Sequence, residues 1–180
     1  RPDDYQIKKA AEVIKSSKNP IIISGGGVFY SDAMEELSDF AKKHNIPVTQ
    51  TVMGYSTMKR DHSHFLGPIG GLGGKAANNM AKKTDLAIAI GTKLADFTTG
   101  SWANFENPNF KLVSINAARF DANKHMAQAV VGDAKVSLSE LSLALGSWKA
   151  EDSWNKKAQM ELKSWNEYVD KESGPTNQKL

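Results

Sequence analysis

Short apolar runs that stop at a glycine recur along this chain, and they constrain its fold more than any other feature. "PIIIS" at 20–24 runs into three glycines, "DLAIAI" at 85–90 runs into Gly91, "FKLVSIN" covers 110–116, and "AQAVV" at 127–131 runs into Gly132. Unbroken apolar runs of this length, rich in β-branched residues, suit strands covered on both faces, as parallel strands are. Segments of helical spacing lie between them. Residues 3–19 put Ile7, Ala10, Ala11, Val13 and Ile14 on one stripe, with Asp3 or Asp4 as N-cap and Asn19-Pro20 as the stop. After the first glycines, Ser31 or Asp32 is the expected cap of a helix carrying Met34, Leu37, Phe40 and Ala41 and ending near His44-Asn45, before "IPVTQTV" returns as a strand. "GGLGGKAANNMAKKT" reads as glycines opening a weak helix, and "AKVSLSELSLALG" as a helix closed by Gly146. Strands alternating with helices imply right-handed crossovers, and so an α/β fold: a Rossmann-like open parallel sheet of about six strands with helices on both faces.

The chain's 180 residues, 40% of them apolar, suffice for one full core and an appendage. We divide it into a domain at 1–146 and a C-terminal helix and linker at 147–180. In that helix Trp154, Trp165 and Tyr168 form an aromatic stripe that either serves a partner surface or, the favoured reading, packs on its own or a neighbouring domain. The polar start without methionine and the string "SGPTNQKL" at the end read as one domain of a longer polypeptide. No stretch has the length and apolarity of a membrane span or signal peptide, so a cytoplasmic location is expected. The absence of cysteine excludes disulfides, thiolate metal sites and cysteine nucleophiles. A net charge of +3 is spread over several helices and never forms a basic run, which argues against nucleic acid as a partner.

Three glycine clusters are candidates for chemistry. Gly25 and Gly27 occupy two slots of a dinucleotide fingerprint, but Tyr30 stands where the third glycine belongs, and the next strand ends in Thr49, Gln50 and Thr51 rather than a ribose-binding acid. An alternative is that these glycines serve only a sharp strand-to-helix turn. In "GPIGGLGGKAANN" backbone N–H groups and Lys75 are placed to meet an anion, without the serine or threonine of a Walker loop. "GTKLADFTTGSW" follows a strand, where open α/β sheets hold ligands; Lys93, Asp96, Thr98, Thr99 and Ser101 are either ligand contacts or ordinary loop caps. His62 and His64 beside Asp61 lack further metal ligands at a recognisable spacing, and His125 is expected at a surface or interface.

The ordered series is more specific than any one cluster. "NPIIISGGGVFYSDAMEELSDFAKKHNIPVTQTVMG", "DHSHFLGPIGGLGGKAANN", "TDLAIAIGTKLADFTTG" and "FKLVSINAARFDANKHMAQAVVGDA" follow one another in an order that resembles the central domain of thiamine-diphosphate-dependent enzymes of the acetohydroxyacid synthase and pyruvate oxidase group. The resemblance covers residues 5–146 and implies the DHS-like NAD/FAD-binding fold, a six-stranded parallel sheet between two catalytic domains. "GGGVFYSDA", "DFTTGSW" and "VSINAARFDANKHMAQAVVGDA" look most like the branch of that family that hydrolyses a carbon–carbon bond in a cyclic diketone of myo-inositol catabolism. Acetohydroxyacid synthase or a related 2-keto-acid decarboxylase is the alternative parent, and a stand-alone nucleotide-binding module the alternative outside enzymology.

Departures from the family pattern sharpen what it implies. Flavin-binding relatives carry Gly-x-Arg-Phe-Asp-Asp where this chain reads "GTKLADF", and Asp-x-Asp-Pro where it has "INAA", so Asn116 and Ala118 replace both acids. FAD is therefore not expected. The residues nearest a cofactor site are Gly25, Gly26, Gly27, Gly91, Thr92 and Lys93, read as a vestigial nucleotide crevice. The activating glutamate and the magnesium-diphosphate motif of the family belong to other domains; the only Gly-Asp pair here, Gly132-Asp133, leads into a helix. The resemblance thus implies thiamine diphosphate and Mg2+ in a full-length parent, bound by N- and C-terminal domains of the same chain. It also implies a homo-oligomeric parent, and no catalytic or metal-ligating residue within these 180.

Overall fold

The structure is a computed structural model and describes residues 1–173. The linker expected at the extreme C-terminus falls mostly outside the described residues. In chain order the elements are α1 (Asp4–Lys15), β1 (Pro20–Ser24), α2 (Gly26–Tyr30), α3 (Met34–His44), β2 (Val48–Gln50), β3 (Phe65–Pro68), α4 (Lys75–Lys83) and β4 (Leu86–Ile90). Then follow α5 (Asp96–Thr99), β5 (Lys111–Asn116), α6 (Arg119–Ala122), β6 (Gln128–Val131), α7 (Ala134–Leu145) and α8 (Asp152–Glu172). Every strand pair is parallel and the order is β3-β2-β1-β4-β5-β6, so the chain winds outward from β1 in one direction and, after β3, from β4 in the other. The expected α/β sheet is present with six strands.

Strand alternation divides the interior into two layers. Ile22, Ile88, Ile90, Val113 and Ile115 face a core closed by α1, α3 and α7 through Ile14, Leu37, Phe40 and Leu138. Ile21, Ile23, Ala87 and Ala89 face the other side, where α4 and α8 supply Ala76, Ala77, Ala81 and Ala158. The small side chains on that side let helix backbones approach the sheet, and Met80 and Trp154 fill the remaining space. Trp154 is buried and its indole N–H donates to Pro20 O at 2.8 Å, tying the start of α8 to the start of β1. The first half of α8 is thus part of the same packed body.

Two details differ from expectation. The helix expected behind a Ser31 or Asp32 cap is α3, but it begins after Ala33, whose side chain makes no capping bond, and a one-turn helix, α2, precedes it. The break lets Tyr30 turn outward, 81% exposed, so it does not wedge helix from strand. The strand β3 was not foreseen; it has only four residues, including Gly67 and Pro68, and shows no apolar run. As an edge strand it is blunted by Pro68, which has no N–H, by Gln159 Nε2 donating to Phe65 O, and by Gly74 N–H donating to Pro68 O. The expected Asp3 cap of α1 and the Gly146 stop of α7 are both observed.

Candidate functional site

Parallel strands end together, so the loops after β1 to β6 gather at one edge of the sheet. The winding reverses between β1 and β4, and a ligand of an open α/β sheet is expected in the crevice there. Gly25, Gly26 and Gly27 lie on one wall of it, Gly91, Thr92 and Lys93 on the other.

The two walls touch. A Cβ on Gly25 would stand 2.4 Å from Gly91 O, and one on Gly27 2.6 Å from Gly91 Cα. The N–H groups that would face a phosphate are spent on the protein itself: Gly25 N–H donates to Ile90 O at 2.8 Å, Gly27 N–H to Gly91 O at 2.9 Å, and Gly91 N–H to Ile115 O at 2.8 Å. Gly91 has φ +60, so both its conformation and its contacts call for glycine. These glycines bring backbone against backbone. With five residues, α2 also offers little macrodipole to an anion.

A third backbone closes the β2 side. A Cβ on Gly54 would lie 2.1 Å from Ser24 O, the same carbonyl that accepts from Thr51 N–H at 2.9 Å. Ser24 Oγ donates to Thr57 Oγ1, Thr57 Oγ1 to Gly54 O (2.7 Å each), and Gln50 Nε2 to Met58 O at 3.1 Å, all buried. On the β5 side Asn116, where flavin-binding relatives carry an acid, uses Nδ2 to bind Thr92 O at 3.1 Å. Lys93 projects into solvent. The crevice residues do come together, but as a closed packing unit whose donors at Gly25, Gly27 and Gly91 are occupied. They do not fit a dinucleotide or flavin pyrophosphate.

The other candidates resolve in the same way. Around Lys75, Gly71, Gly73 and Gly74 donate to Phe97 O, Gly70 O and Pro68 O, and Gly70 N–H is taken by Asn78 Oδ1 at 2.9 Å. Thr99 is buried; its Oγ1 accepts from Trp102 N–H at 3.2 Å, and Ser101 N–H donates to Asp96 O. These are loop-closing bonds. His125 is exposed, at φ +59, with its ring 4.5 Å from that of Trp102. Asp133 caps α7: burial works against its charge, but hydrogen bonds from Ser31 and from the Val136 and Lys135 N–H groups bring its pKa below the ordinary value.

His62 and His64 sit at the opposite edge, before β3. His62 Nδ1 accepts from His64 N–H at 3.1 Å, so Nε2 holds the proton and donates to Ser38 Oγ at 3.0 Å. The Asn45 amide donates through Nδ2 to Ala150 O and Asp152, which turns its Oδ1 to accept from His64 Nε2 at 3.0 Å; His64 Nδ1 then accepts from Ser63 Oγ. Neither imidazole keeps a free lone pair for a metal. Burial, with help from His62 and Lys42, pushes His64 down to about 4; burial also lowers His62 and His44. Among the described residues no three His, Asp or Glu side chains converge as metal ligands. Nor is any described helix long and apolar enough to cross a membrane.

Sequence reasoning had no signal for Gly54 or for the Asn45–His64 clasp, because both depend on residues that meet only in three dimensions. Comparison with known proteins adds what geometry leaves open. A sequence profile of the thiamine pyrophosphate enzyme central domain matches residues 7–141. A 3D-(3,5/4)-trihydroxycyclohexane-1,2-dione hydrolase of Clostridium perfringens strain 13 is 42% identical over 162 residues, covering 90% of this chain and 25% of that protein. Hydrolases of the same name from Bacillus licheniformis and Bacillus subtilis strain 168 are 44% and 42% identical over 150 and 151 residues, 83% and 84% of this chain and 24% of each relative. The chain spans about a quarter of the length of the curated relatives it matches.

Proposed function

The chain belongs to the thiamine pyrophosphate enzyme family as a central domain, and from that premise we propose that it is the structural middle of a C–C hydrolase that opens the ring of 3D-trihydroxycyclohexane-1,2-dione in myo-inositol catabolism. The similarity to the named hydrolases over nine-tenths of the chain carries this reading. In the full-length parent, thiamine diphosphate with Mg2+ supplies the carbanion chemistry that breaks the C–C bond, held by domains on either side of this one. The parent works as a cytoplasmic homo-oligomer.

Within these residues the work is mechanical. Glycine-to-glycine contact between the β1 and β4 turns, and the loop of Gly54 laid over Ser24 O, make the carboxyl edge of the sheet a rigid plate. Gly25, Gly26, Gly27, Gly91, Thr92 and Lys93 are a crevice in ancestry only; they hold no nucleotide and take no part in the reaction. The plate orients its neighbours, and positioning of that kind is a real contribution to rate when catalytic groups come from separate domains.

The test is an assay of the full-length parent, supplied with thiamine diphosphate and Mg2+, on the inositol-derived diketone and on pyruvate. Ring opening of the diketone without pyruvate consumption is the expected result. Decarboxylation or condensation of pyruvate instead would place the parent with the acetohydroxyacid synthases.

A further inference from the structure

More than half of the large apolar side chains exposed among the described residues lie on the loops and short helices that follow β1 to β5. Tyr30 is 81% exposed after β1, Met53 71% after β2, Leu72 68% after β3, Phe97 69% after β4 and Phe120 78% after β5. Single exposed apolar residues are ordinary; a row contributed by five consecutive strand ends is not. At the amino edge only Met126 and, in the last turn of α7, Leu143 are of this kind among the described residues. Along the rim, between β3 and α8, lies a hollow of about 580 Å3 walled by Tyr55, Leu72, Leu162 and Trp165, wide enough to receive apolar side chains from outside.

Both ends of the described chain are at this edge. Pro2 lies beside Gly132, just past β6, close enough that a Cβ on Gly132 would be 3.0 Å from its nitrogen. At the other end, α8 runs from the amino edge, where Trp154 meets Pro20, to the carboxyl edge, where the Trp165 indole lies 3.0 Å from the Cβ position of Gly74. A polypeptide continuing from either end therefore starts on the apolar rim, and the relatives carry about three-quarters of their length outside the matched region.

We infer that the carboxyl edge, rimmed by Tyr30, Met53, Tyr55, Leu72, Phe97 and Phe120, is the docking surface for the flanking domains of the same polypeptide. This rests on the reading of the chain as the middle of a longer enzyme. The occupant is the chain's own continuation rather than a second copy, because the rim lies where the chain enters and leaves, and domains tethered there meet it at high effective concentration. The rigid backbone beneath holds the rim residues in one arrangement for a partner to fit.

Methionine oxidation in the intact full-length protein tests this. Met53, 71% exposed on the rim, and Met126, 100% exposed on the opposite edge, would both react readily with dilute peroxide if the rim were bare. Docking predicts that Met53 forms sulfoxide at least about ten-fold more slowly than Met126, read by peptide mass spectrometry. Equal rates would overturn the proposal. A photo-crosslinking residue in the Phe97→p-benzoylphenylalanine variant identifies the occupant: products keeping the mass of one chain are expected, and products of doubled mass would assign the rim to a second copy and overturn the proposal. Activity on the diketone in the same preparation keeps the readings apart. An active enzyme with a freely oxidised Met53 contradicts docking alone, and an inactive one with a protected Met53 contradicts the substrate alone.

Discussion

The two edges of the sheet solve opposite problems. At the amino edge, polar groups of this chain satisfy one another: Asp85 accepts from Ser17 Oγ, Lys18 N–H and Asn19 N–H, Thr84 Oγ1 donates to Asn19 O, and His44 and His64 are each bonded through both ring nitrogens. At the carboxyl edge the backbone is closed by glycine contacts while large apolar side chains stand in solvent. One edge is finished by the domain itself. The other is closed below by backbone contact and leaves apolar side chains uncovered above. The difference teaches that glycines at a strand end can record a close approach between two backbones as readily as one between backbone and phosphate.

The largest expected effect breaks the floor of the carboxyl edge. Gly25→Ala sets a methyl against Gly91 O, a backbone atom that cannot step aside, and should cost about 3 kcal/mol or more in denaturant unfolding. Gly67→Ala is the control: its φ of +97 is strained for alanine, but nothing lies within 4 Å, so a loss of only about 1–2 kcal/mol is expected. A cost for Gly25→Ala no larger than that of Gly67→Ala would mean the contact is not the constraint.

Acid should attack the amino edge next. His64 is held neutral, with its pKa pushed from 6.5 to about 4, so as pH falls the unfolded chain takes up the proton before the folded one does. The stability this contributes is complete above pH 6.5, is lost between 6.5 and about 4, and amounts to roughly 3 kcal/mol at most. His44 and His62 are lowered in the same direction and steepen the slope. Unfolding free energies measured across this range should show the loss, and His64→Gln should flatten it; an unchanged slope in that variant would assign the acid sensitivity elsewhere.

Trp154→Phe keeps most of the packing but strands the buried Pro20 carbonyl, and should cost about 1–2 kcal/mol. A neutral result would mean that solvent reaches this corner of the amino edge. The smallest effect belongs to the rim: Phe97→Ser removes an exposed ring and should change stability of these residues by less than about 0.5 kcal/mol. A large loss there would show that the rim is already packed within the domain, and the contrast between the edges would collapse.

Much of the fold was legible in the sequence, because fully buried strands such as "PIIIS" and "LAIAI" admit few other readings and Asp3, Gly146 and the stripe of α1 mark helix ends by local chemistry. β3 escaped because its burial comes from β2 and α4 rather than from its own apolar content. The start of α3 escaped because Ala33 has no capping group to announce it, and the single turn of α2 is too short to show a periodicity. At the crevice, the sequence showed which residues gather at the β1 and β4 ends but not that they meet each other; that depends on Gly91 facing Gly27 across two strands. The Asn45–His64 clasp and the Trp154–Pro20 bond join residues 19 and 134 positions apart, beyond any periodicity.

The closed crevice is most directly tested by calorimetric titration of the protein with FAD and with ADP. With the donors of Gly25, Gly27 and Gly91 spent on backbone oxygens, neither ligand should give saturable heat. Stoichiometric binding with a micromolar Kd, abolished by Gly27→Ala, would contradict the account.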